Sequence, residues 1–327
     1  MNPTRRGALR PLAALAAAAL VPRSGTAQSA WPTKPVSLIV SYPPGGGADL
    51  MARLVAPRIA EAIGQPVIVE NRPGASGQIA AGAVLKAGPD GYSLLFDASS
   101  YSTTPALYPK SPYQGGAAFR TVGVTGLFPN VVLVNPAFPA KSVAELIALA
   151  KSKADGVAYA SSGNGSAQHL AGALFEWQAK VQMLHVPYKG GGPALNDVIG
   201  GQVPVFFGNL ASTLQHVQSG RLRALAVTGS SRVKTVADLP TVAESGLPGY
   251  EIHEWNGLFA PAGTPDAIVQ RLAAALQKAM AAPDVQARVA SLGGEVFAGG
   301  QPEAERFVQA QTAKMAALIR ERGIVPE

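Results

Sequence analysis

The segment 36–49, VSLIVSYPPGGGAD, indicates the fold class of this chain. Residues 36–41 are a short apolar run typical of a buried strand, and residues 50–63 have the apolar spacing of a helix. Gly45, Gly46 and Gly47 lead from one to the other. A strand, a glycine-rich loop and a helix in this order form the repeating unit of an α/β sheet. Ligands of such sheets bind beyond the carboxyl ends of the strands.

The same unit recurs along the chain. The strand pattern at 157–160 leads into SSGNGS (161–166), and the one at 184–187 leads into YKGGGP (188–193). Each is followed by a helix pattern. We therefore predict an α/β protein of two lobes, each a mainly parallel sheet flanked by helices. With no flexible linker in the sequence, the lobes should exchange strands through a hinge. The predicted boundaries are residues 31–129 plus 229–327 for lobe 1 and 130–228 for lobe 2.

Composition excludes several classes of protein. The 327 residues are 47% hydrophobic and contain no cysteine, which rules out wholesale disorder, disulfides and a cysteine nucleophile. The formal net charge is +7, but four arginines lie within residues 1–27. Without these four, 23 basic residues face 20 acidic ones. We therefore predict no nucleic-acid partner.

Residues 1–27 have the layout of a secretory signal. A basic start precedes an apolar run at 11–21, and Gly25 and Ala27 stand at the −3 and −1 positions of a cleavage site. We predict cleavage after Ala27, with Ala30 as the alternative. The Arg5-Arg6 pair leaves open twin-arginine export beside the ordinary Sec route. The apolar run is too short to span a bilayer as a helix. The mature protein should be soluble and exported.

Three glycine-rich loops, PPGGGAD, SSGNGS and KGGGPA, precede helices at equivalent junctions. The free N–H groups and positive dipole end of a helix start favour an anion. Glycine lets the backbone approach such a ligand closely, although it also serves plain turns. The recurrence favours a carboxylate ligand.

Catalytic and cofactor motifs are absent from the sequence. Neither glycine loop near Gly45 or Gly163 completes G-x-G-x-x-G, and no P-loop or G-x-S-x-G elbow occurs. The four histidines are scattered, without metal-ligand spacing. The pattern at Ser166 and His169 favours a helix cap followed by a first-turn histidine over a catalytic pair. We predict no enzyme activity, no cofactor and no metal site.

Longer motifs identify a family. Five long stretches carry a resemblance to one family, all in the same alignment register along the chain. They are WPTKPVSLIVSYPPGGGADLMAR, VIVENRPGASGQIAAGAVLKAGPDGYSLLF, YASSGNGSAQHLAGALF, HVPYKGGGPALNDVIGGQV and WNGLFAPAGTP. In these the chain resembles the tripartite tricarboxylate transporter substrate-binding proteins, the Bug family. The resemblance implies a periplasmic binding protein of type II fold. It would close on a small organic anion like a Venus flytrap and deliver it to the permease subunits of a membrane transporter.

The glycine loops and the resemblance together give a set of predicted ligand-binding residues around the cleft. They are Tyr42, Gly45, Gly46, Gly47, Asp49, Ser76, Ser99, Ser100, Ser161, Gly163, Asn164, Ser166, His169, Tyr188, Lys189, Gly190, Asn209 and Trp255. Several have ordinary structural alternatives. Asp49 could simply pair with Arg53, and Trp255 and the two tyrosines could be packing residues.

Two departures from the family pattern matter. Many relatives carry Asp-Asn where this chain has Gly208-Asn209. Losing that carboxylate removes a partner for an ammonium group, so we predict against amino-acid ligands. Relatives often have Leu-Pro-Tyr-Asp-Pro where this chain has residues 111–116. This second departure concerns the connection within lobe 1 more than the ligand site.

Alternatives of other classes remain open at this point. A solute-binding protein of this kind can report to a membrane receptor instead of a permease, and a carboxylate-processing enzyme is a weaker alternative. We predict a monomer. Aromatic acids, dicarboxylates and citrate-like tricarboxylates all fit the predicted site.

Overall fold

The computed structural model describes residues 31–111, 117–153 and 156–325. The predicted signal segment 1–27 and most of the divergent stretch 111–116 lie outside these ranges. In the described chain, no helix combines the length and the apolarity that crossing a bilayer requires.

The strands form one twisted sheet. In spatial order it runs β2-β1-β3-β9-β4-β7-β5-β6, and β8 and β10 also pair with β4. The bounds are β1 Val36–Val40, β2 Val67–Asn71, β3 Ser93–Ala98, β4 Phe119–Val134, β5 Val157–Ser161, β6 Met183–Pro187, β7 Val205–Asn209, β8 Arg223–Val227, β9 His253–Pro261 and β10 Glu295–Val296.

Helices cover both faces of the sheet. Their bounds are α1 Gly47–Ile63, α2 Gln78–Ala87, α3 Ser100–Leu107, α4 Val143–Ser152, α5 Ala167–Ala179, α6 Gly191–Ile199, α7 Leu210–Gln218, α8 Asp266–Ala281, α9 Pro283–Ser291 and α10 Gln301–Arg322. Local chemistry explains several ends. Ser142 caps α4 by accepting a hydrogen bond from the Glu145 N–H at 3.2 Å, as its sequence predicts. Gly64 ends α1 with φ of 79°.

Strand direction changes across the sheet. At the two ends, β1 pairs parallel with β2 and β3, and β5 pairs parallel with β6 and β7. In the middle, β9 and β4 pair antiparallel with each other and with their outer neighbours. The predicted α/β fold is confirmed. The mainly parallel pairing holds for the ends, whereas the central strands are antiparallel.

The long strand β4 connects the two ends. Its residues 119–129 pair with β9, and its residues 130–134 pair with β7. At the change of partner, Asn130 accepts a hydrogen bond from the Thr228 N–H at 2.9 Å. The predicted lobe boundaries lie at these two residues. Separate apolar cores lie on either side, one including β1, α1 and α8 and another including α4, α5 and β7. We call these two parts the β1 half and the β5 half; the lobe boundaries stay a prediction.

Candidate functional site

The three glycine-rich loops meet where the β1 half faces the β5 half. Gly190 packs against Pro43 so tightly that a β-carbon on Gly190 would lie 2.3 Å from Pro43 Cδ. A β-carbon on Gly47 would lie 2.9 Å from the amide of Asn209. The Ser76 hydroxyl donates to the Asn164 carbonyl at 2.5 Å. The predicted loops are therefore together, and they are in contact across the two halves.

Five helices begin at this meeting point, namely α1, α3, α5, α6 and α7. Ser166 caps α5, and Asn209 caps α7 by accepting from the Ala211 N–H at 2.9 Å. Among the described residues, no side chain caps α1 or α6, whose N-cap positions are Gly46 and Gly190. Both helices therefore present N–H groups and a positive dipole end to the space between the halves.

A buried acidic network lies beside the first loop. Asp97, at the end of β3, has no exposed surface and accepts hydrogen bonds from the Ser41 hydroxyl, the Ser100 hydroxyl at 3.0 Å and the Ala98 N–H at 2.8 Å. Tyr42 is partly exposed as a residue, but its hydroxyl is enclosed near Ser100. Burial raises the pKa of Tyr42 above its usual range, and the Asp97 charge adds to that rise. Its hydroxyl stays protonated at neutral pH.

Glu254 is a second buried carboxyl group, and its hydrogen bonds reach the β5 half. It lies on β9 with 5% exposure and accepts a hydrogen bond from Gln168, the second residue of α5. Gln168 also donates to Asn130 Oδ1 at 2.9 Å. Burial raises the pKa of Glu254, the Asp97 charge adds to the rise, and neighbouring amide side chains oppose it. The amide nitrogen of Asn130 is buried and has no hydrogen-bond partner in the part of the chain described.

Asp49 shapes the first loop. It accepts from the Gly45 N–H at 3.0 Å, from Arg53 Nε at 3.0 Å and from Asn71 Nδ2 at 2.8 Å. Burial alone would raise the pKa of Asp49, but these hydrogen bonds together lower it. The predicted pair with Arg53 and the predicted role in the loop are therefore both present. Asn71 also donates to the Tyr42 carbonyl at 2.9 Å.

The second loop is fixed by serine and histidine side chains. The Ser161 hydroxyl lies 2.7 Å from His185 Nε2 and accepts from the Gly163 N–H at 3.1 Å. His169 accepts from the Gly165 N–H at 3.1 Å, and its ring stacks on that of His185 with centroids 4.1 Å apart. Burial lowers the pKa of His185 to about 4. Ser166 acts as the predicted helix cap, accepting from the His169 N–H.

The loop 74–77 has an unusual backbone. Ala75 and Ser76 have φ of 48° and 53°, and Gly74 and Gly77 flank them with positive φ as well. Non-glycine residues adopt this conformation at a cost. It turns the Ser76 hydroxyl across to the β5 half. The Ser76 carbonyl also accepts from the Thr104 hydroxyl at 3.1 Å.

Four predicted residues have other surroundings. The Tyr188 hydroxyl donates to Asp197 at 2.7 Å, and burial together with that carboxyl raises the pKa of Tyr188 to about 12. Lys189 is exposed beside it. Ser99 and Trp255 line a different cavity, between α3, α5, β9 and α10. Ligand contact by these four, as by all the other predicted residues, stays a prediction.

Sequence reasoning missed five polar residues that form hydrogen-bonded clusters beside the loops. They are Asp97, Glu254, Gln168, Asn130 and Asn71. The signal available for two of them was a carboxylate in an otherwise apolar strand, which needs partners when buried. Glu254 and Asp97 also show that Gly208 does not leave this region without a carboxylate.

Comparisons with known proteins agree with this architecture. A family model described as tripartite tricarboxylate transporter family receptor matches residues 51–324. BugT of Bordetella pertussis is 35% identical over 295 residues, covering 90% of each chain. The solved structure of R. palustris Rpa4515 with adipate superposes with a TM-score of 0.87 at 35% identity, covering 91% of this chain and 100% of that one. MatC from Rhodopseudomonas palustris with bound malate gives 0.83 at 32% identity, covering 88% and 99%.

Proposed function

The chain belongs to the tripartite tricarboxylate transporter receptor family, and on that premise we propose that it delivers a small organic carboxylate to the permease of a tripartite transporter. Family membership confirms the predicted class: the protein is a solute-binding receptor and not an enzyme. The proposal concerns which solute it takes, where the solute binds and where it goes.

The observation that carries the proposal is the pair of uncapped helix starts, at α1 and α6, in the loops that touch through Pro43 and Gly190. A carboxylate held there accepts hydrogen bonds from N–H groups of both halves. Exclusion of water between the closed loops strengthens those bonds. The adipate and malate bound by two relatives support a dicarboxylate as the class of solute.

The carboxyl groups of Glu254 and Asp97 indicate which dicarboxylates bind best. Both are buried carboxyl groups, and Glu254 adjoins Asn209, whose amide lies against Gly47 at the start of α1. A second ionised carboxylate beside them would be repelled. A hydroxyl group there would instead donate a hydrogen bond. We therefore expect hydroxy-dicarboxylates to bind more tightly than dicarboxylates of the same length that lack the hydroxyl.

The mechanism is closure of the two halves on the solute. A solute that touches both halves stabilises the closed arrangement by the difference in its interaction with the two states. Direct contacts add to this, including Ser76 with Asn164 and Thr103 with the Gly165 carbonyl at 2.6 Å. The closed form then presents one continuous surface to the permease. Scattering in solution should show a smaller radius of gyration with saturating solute than without it.

Location and assembly complete the proposal. The protein acts in the periplasm as a monomer after removal of residues 1–27, without a nucleic-acid partner. The family supports the compartment. Mass spectrometry of the exported protein gives the cleavage site, and retention of residues 1–27 would contradict this part of the proposal.

Thermal unfolding against a panel of organic acids, amino acids and sugars tests the proposal. The panel includes malate, succinate, adipate, citrate, benzoate, aspartate and glutamate. A ligand at about 100 times its dissociation constant stabilises the fold by about 2.7 kcal/mol, which shifts the unfolding midpoint visibly. We expect a shift with carboxylates that carry no amino group, larger for malate than for succinate, and none with aspartate, glutamate or sugars. The protein is unfolded and refolded beforehand to remove any solute that co-purifies.

Delivery of the solute to the permease requires a separate experiment. Uptake of the radiolabelled solute into proteoliposomes that contain the permease should require the purified receptor. Solute binding without receptor-dependent uptake would favour the sensor alternative. A panel that gives no shift with any carboxylate would contradict the proposed solute.

A further inference from the structure

A second cavity lies away from the glycine loops. It has a volume of about 380 Å³, within the range of small-molecule sites. Its lining includes Ala167 and Leu170 of α5, Ser99 between β3 and α3, and Phe307 and Met315 of α10. Because α5 belongs to the β5 half, the cavity bridges the same two halves as the loops, but at a different place.

Part of the lining of this cavity is aromatic and apolar, and the rest is polar. Trp255 has 1% exposure, and its ring meets that of Phe307 edge to face with centroids 5.6 Å apart. Leu170, Ile252 and Met315 add to the apolar part of the lining. Such a surface accepts a flat ring, through edge and sulfur contacts.

One buried polar group indicates which functional group the ligand carries. Ser99 is 6% exposed and lines the cavity, and its hydroxyl oxygen is buried with no hydrogen-bond partner among the described residues. Thr103, the neighbouring hydroxyl, already donates to the Gly165 carbonyl. A buried hydroxyl without a partner is unfavourable unless a ligand or water supplies one.

The charged residues at the cavity margin indicate the charge of the ligand. Exposed Glu251, Glu295 and Lys314 line it, with the Glu251 carboxylate 3.1 Å from His253 Nε2. Two carboxylates against one ammonium group do not favour an anion here, in contrast to the helix starts at the glycine loops.

We propose that this cavity is a second ligand site, for a small uncharged aromatic molecule that carries one hydroxyl group. The ring packs against Phe307, Leu170 and Met315, and the hydroxyl bonds Ser99. Since both halves form the walls, an occupant stabilises the closed arrangement. The site is independent of whether a carboxylate binds at the glycine loops.

The test uses 4-fluorobenzyl alcohol as the probe and the whole protein, observed by fluorine NMR line width. We expect saturable broadening that unlabelled benzyl alcohol reverses. Gln311→Trp, on the half-buried margin of the cavity, should abolish the broadening by filling the mouth. Gln309→Trp, an exposed position on the same helix, is its matched control and should bind like wild type.

A second pair of variants tests the hydroxyl. Ser99→Ala should weaken binding about three- to tenfold, the size expected for one hydrogen bond. Ser102→Ala removes another buried, unpartnered hydroxyl of the same region that does not line the cavity, and should leave affinity unchanged. The proposal is overturned if wild type shows no saturable broadening, or if either pair of variants binds equally.

Discussion

Gly190 packs closely against Pro43 across the two halves, since a β-carbon on Gly190 would lie 2.3 Å from Pro43 Cδ. Gly190 also has φ of 139°, a conformation that favours glycine. The two loops can close this far only because position 190 has no side chain.

Gly190→Ala should therefore oppose closure. We expect its affinity for the best carboxylate of the panel to fall at least about tenfold, or about 1.4 kcal/mol, by calorimetry. Gly246→Ala is the matched control, because Gly246 has φ of 110° and nothing in the described chain lies within 4 Å of its added β-carbon. Both variants carry backbone strain of about 1–3 kcal/mol. Equal affinities for the two would refute the role of the contact.

Ser76→Ala tests the hydrogen bond that crosses to Asn164. Its loss should weaken solute binding about two- to tenfold, because a hydrogen bond contributes about 0.5–1.5 kcal/mol. Ser291→Ala removes an exposed hydroxyl that donates to the Arg288 carbonyl at 2.8 Å, within one helix. That control should bind as wild type does. A loss of unfolding free energy with unchanged affinity in Ser76→Ala would assign the bond to folding alone.

His185 should make the protein sensitive to mild acid. Its pKa is about 4 in the folded protein against 6.5 for an unperturbed histidine, so between these values the unfolded chain takes up a proton that the folded chain does not. Stability is therefore highest above pH 6.5 and falls as the pH drops toward 4. The shift sets a ceiling of about 3 kcal/mol, which partial exposure of the ring reduces to about 2 kcal/mol.

Denaturant unfolding of wild type and His185→Gln between pH 4 and 8 measures this effect. The variant lacks the titrating ring, so the difference in unfolding free energy between the two proteins should change over that range. A constant difference would show that His185 does not titrate differently on folding.

Titration of Glu254 should change the stability of the fold with pH in the opposite direction to titration of His185. Burial raises its pKa above the usual 4.5, so the folded protein retains a proton that the unfolded chain loses as the pH rises. Stability from this group is present in acid and is lost as the pH rises from 4.5 through the folded pKa. Glu254→Gln mimics the protonated acid.

The stability of Glu254→Gln relative to wild type should therefore increase between pH 5 and pH 8, measured by urea unfolding. Glu305→Gln, at an exposed position of α10, controls for the loss of one negative charge. A pH-independent difference for Glu254→Gln would contradict the raised pKa.

The sequence predicts the elements whose apolar pattern is clear. The spacing of Val269, Leu272 and Leu276 on one face predicts a helix over residues 266–281, and α8 spans Asp266–Ala281. Strand β1 ends one residue before its predicted end, whereas α1 begins at Gly47, three residues before the predicted start. The glycine loops were predictable for the same local reason: strand, loop and helix follow one another directly.

Elements that depend on tertiary partners were missed. The first part of β4 contains Gly123 and Gly126, which weaken a strand pattern, yet β9 pairs with it throughout. Helix α3, SYSTTPAL, is rich in weak helix formers and is held by packing against α10. The network of Glu254, Gln168 and Asn130 joins residues far apart in the chain, and no local pattern signals such a contact.

The sixteen residues of β4 also limit how this protein can be divided. The first part of this continuous strand, residues 119–129, pairs with β9, and its last part pairs with β7 along one edge and with β8 along the other. A recombinant that exchanges one half between two relatives at Pro129 must rebuild pairings on both sides of the junction. The two halves are therefore not interchangeable modules: sequence variation that retunes one must remain compatible with a strand that the other also uses.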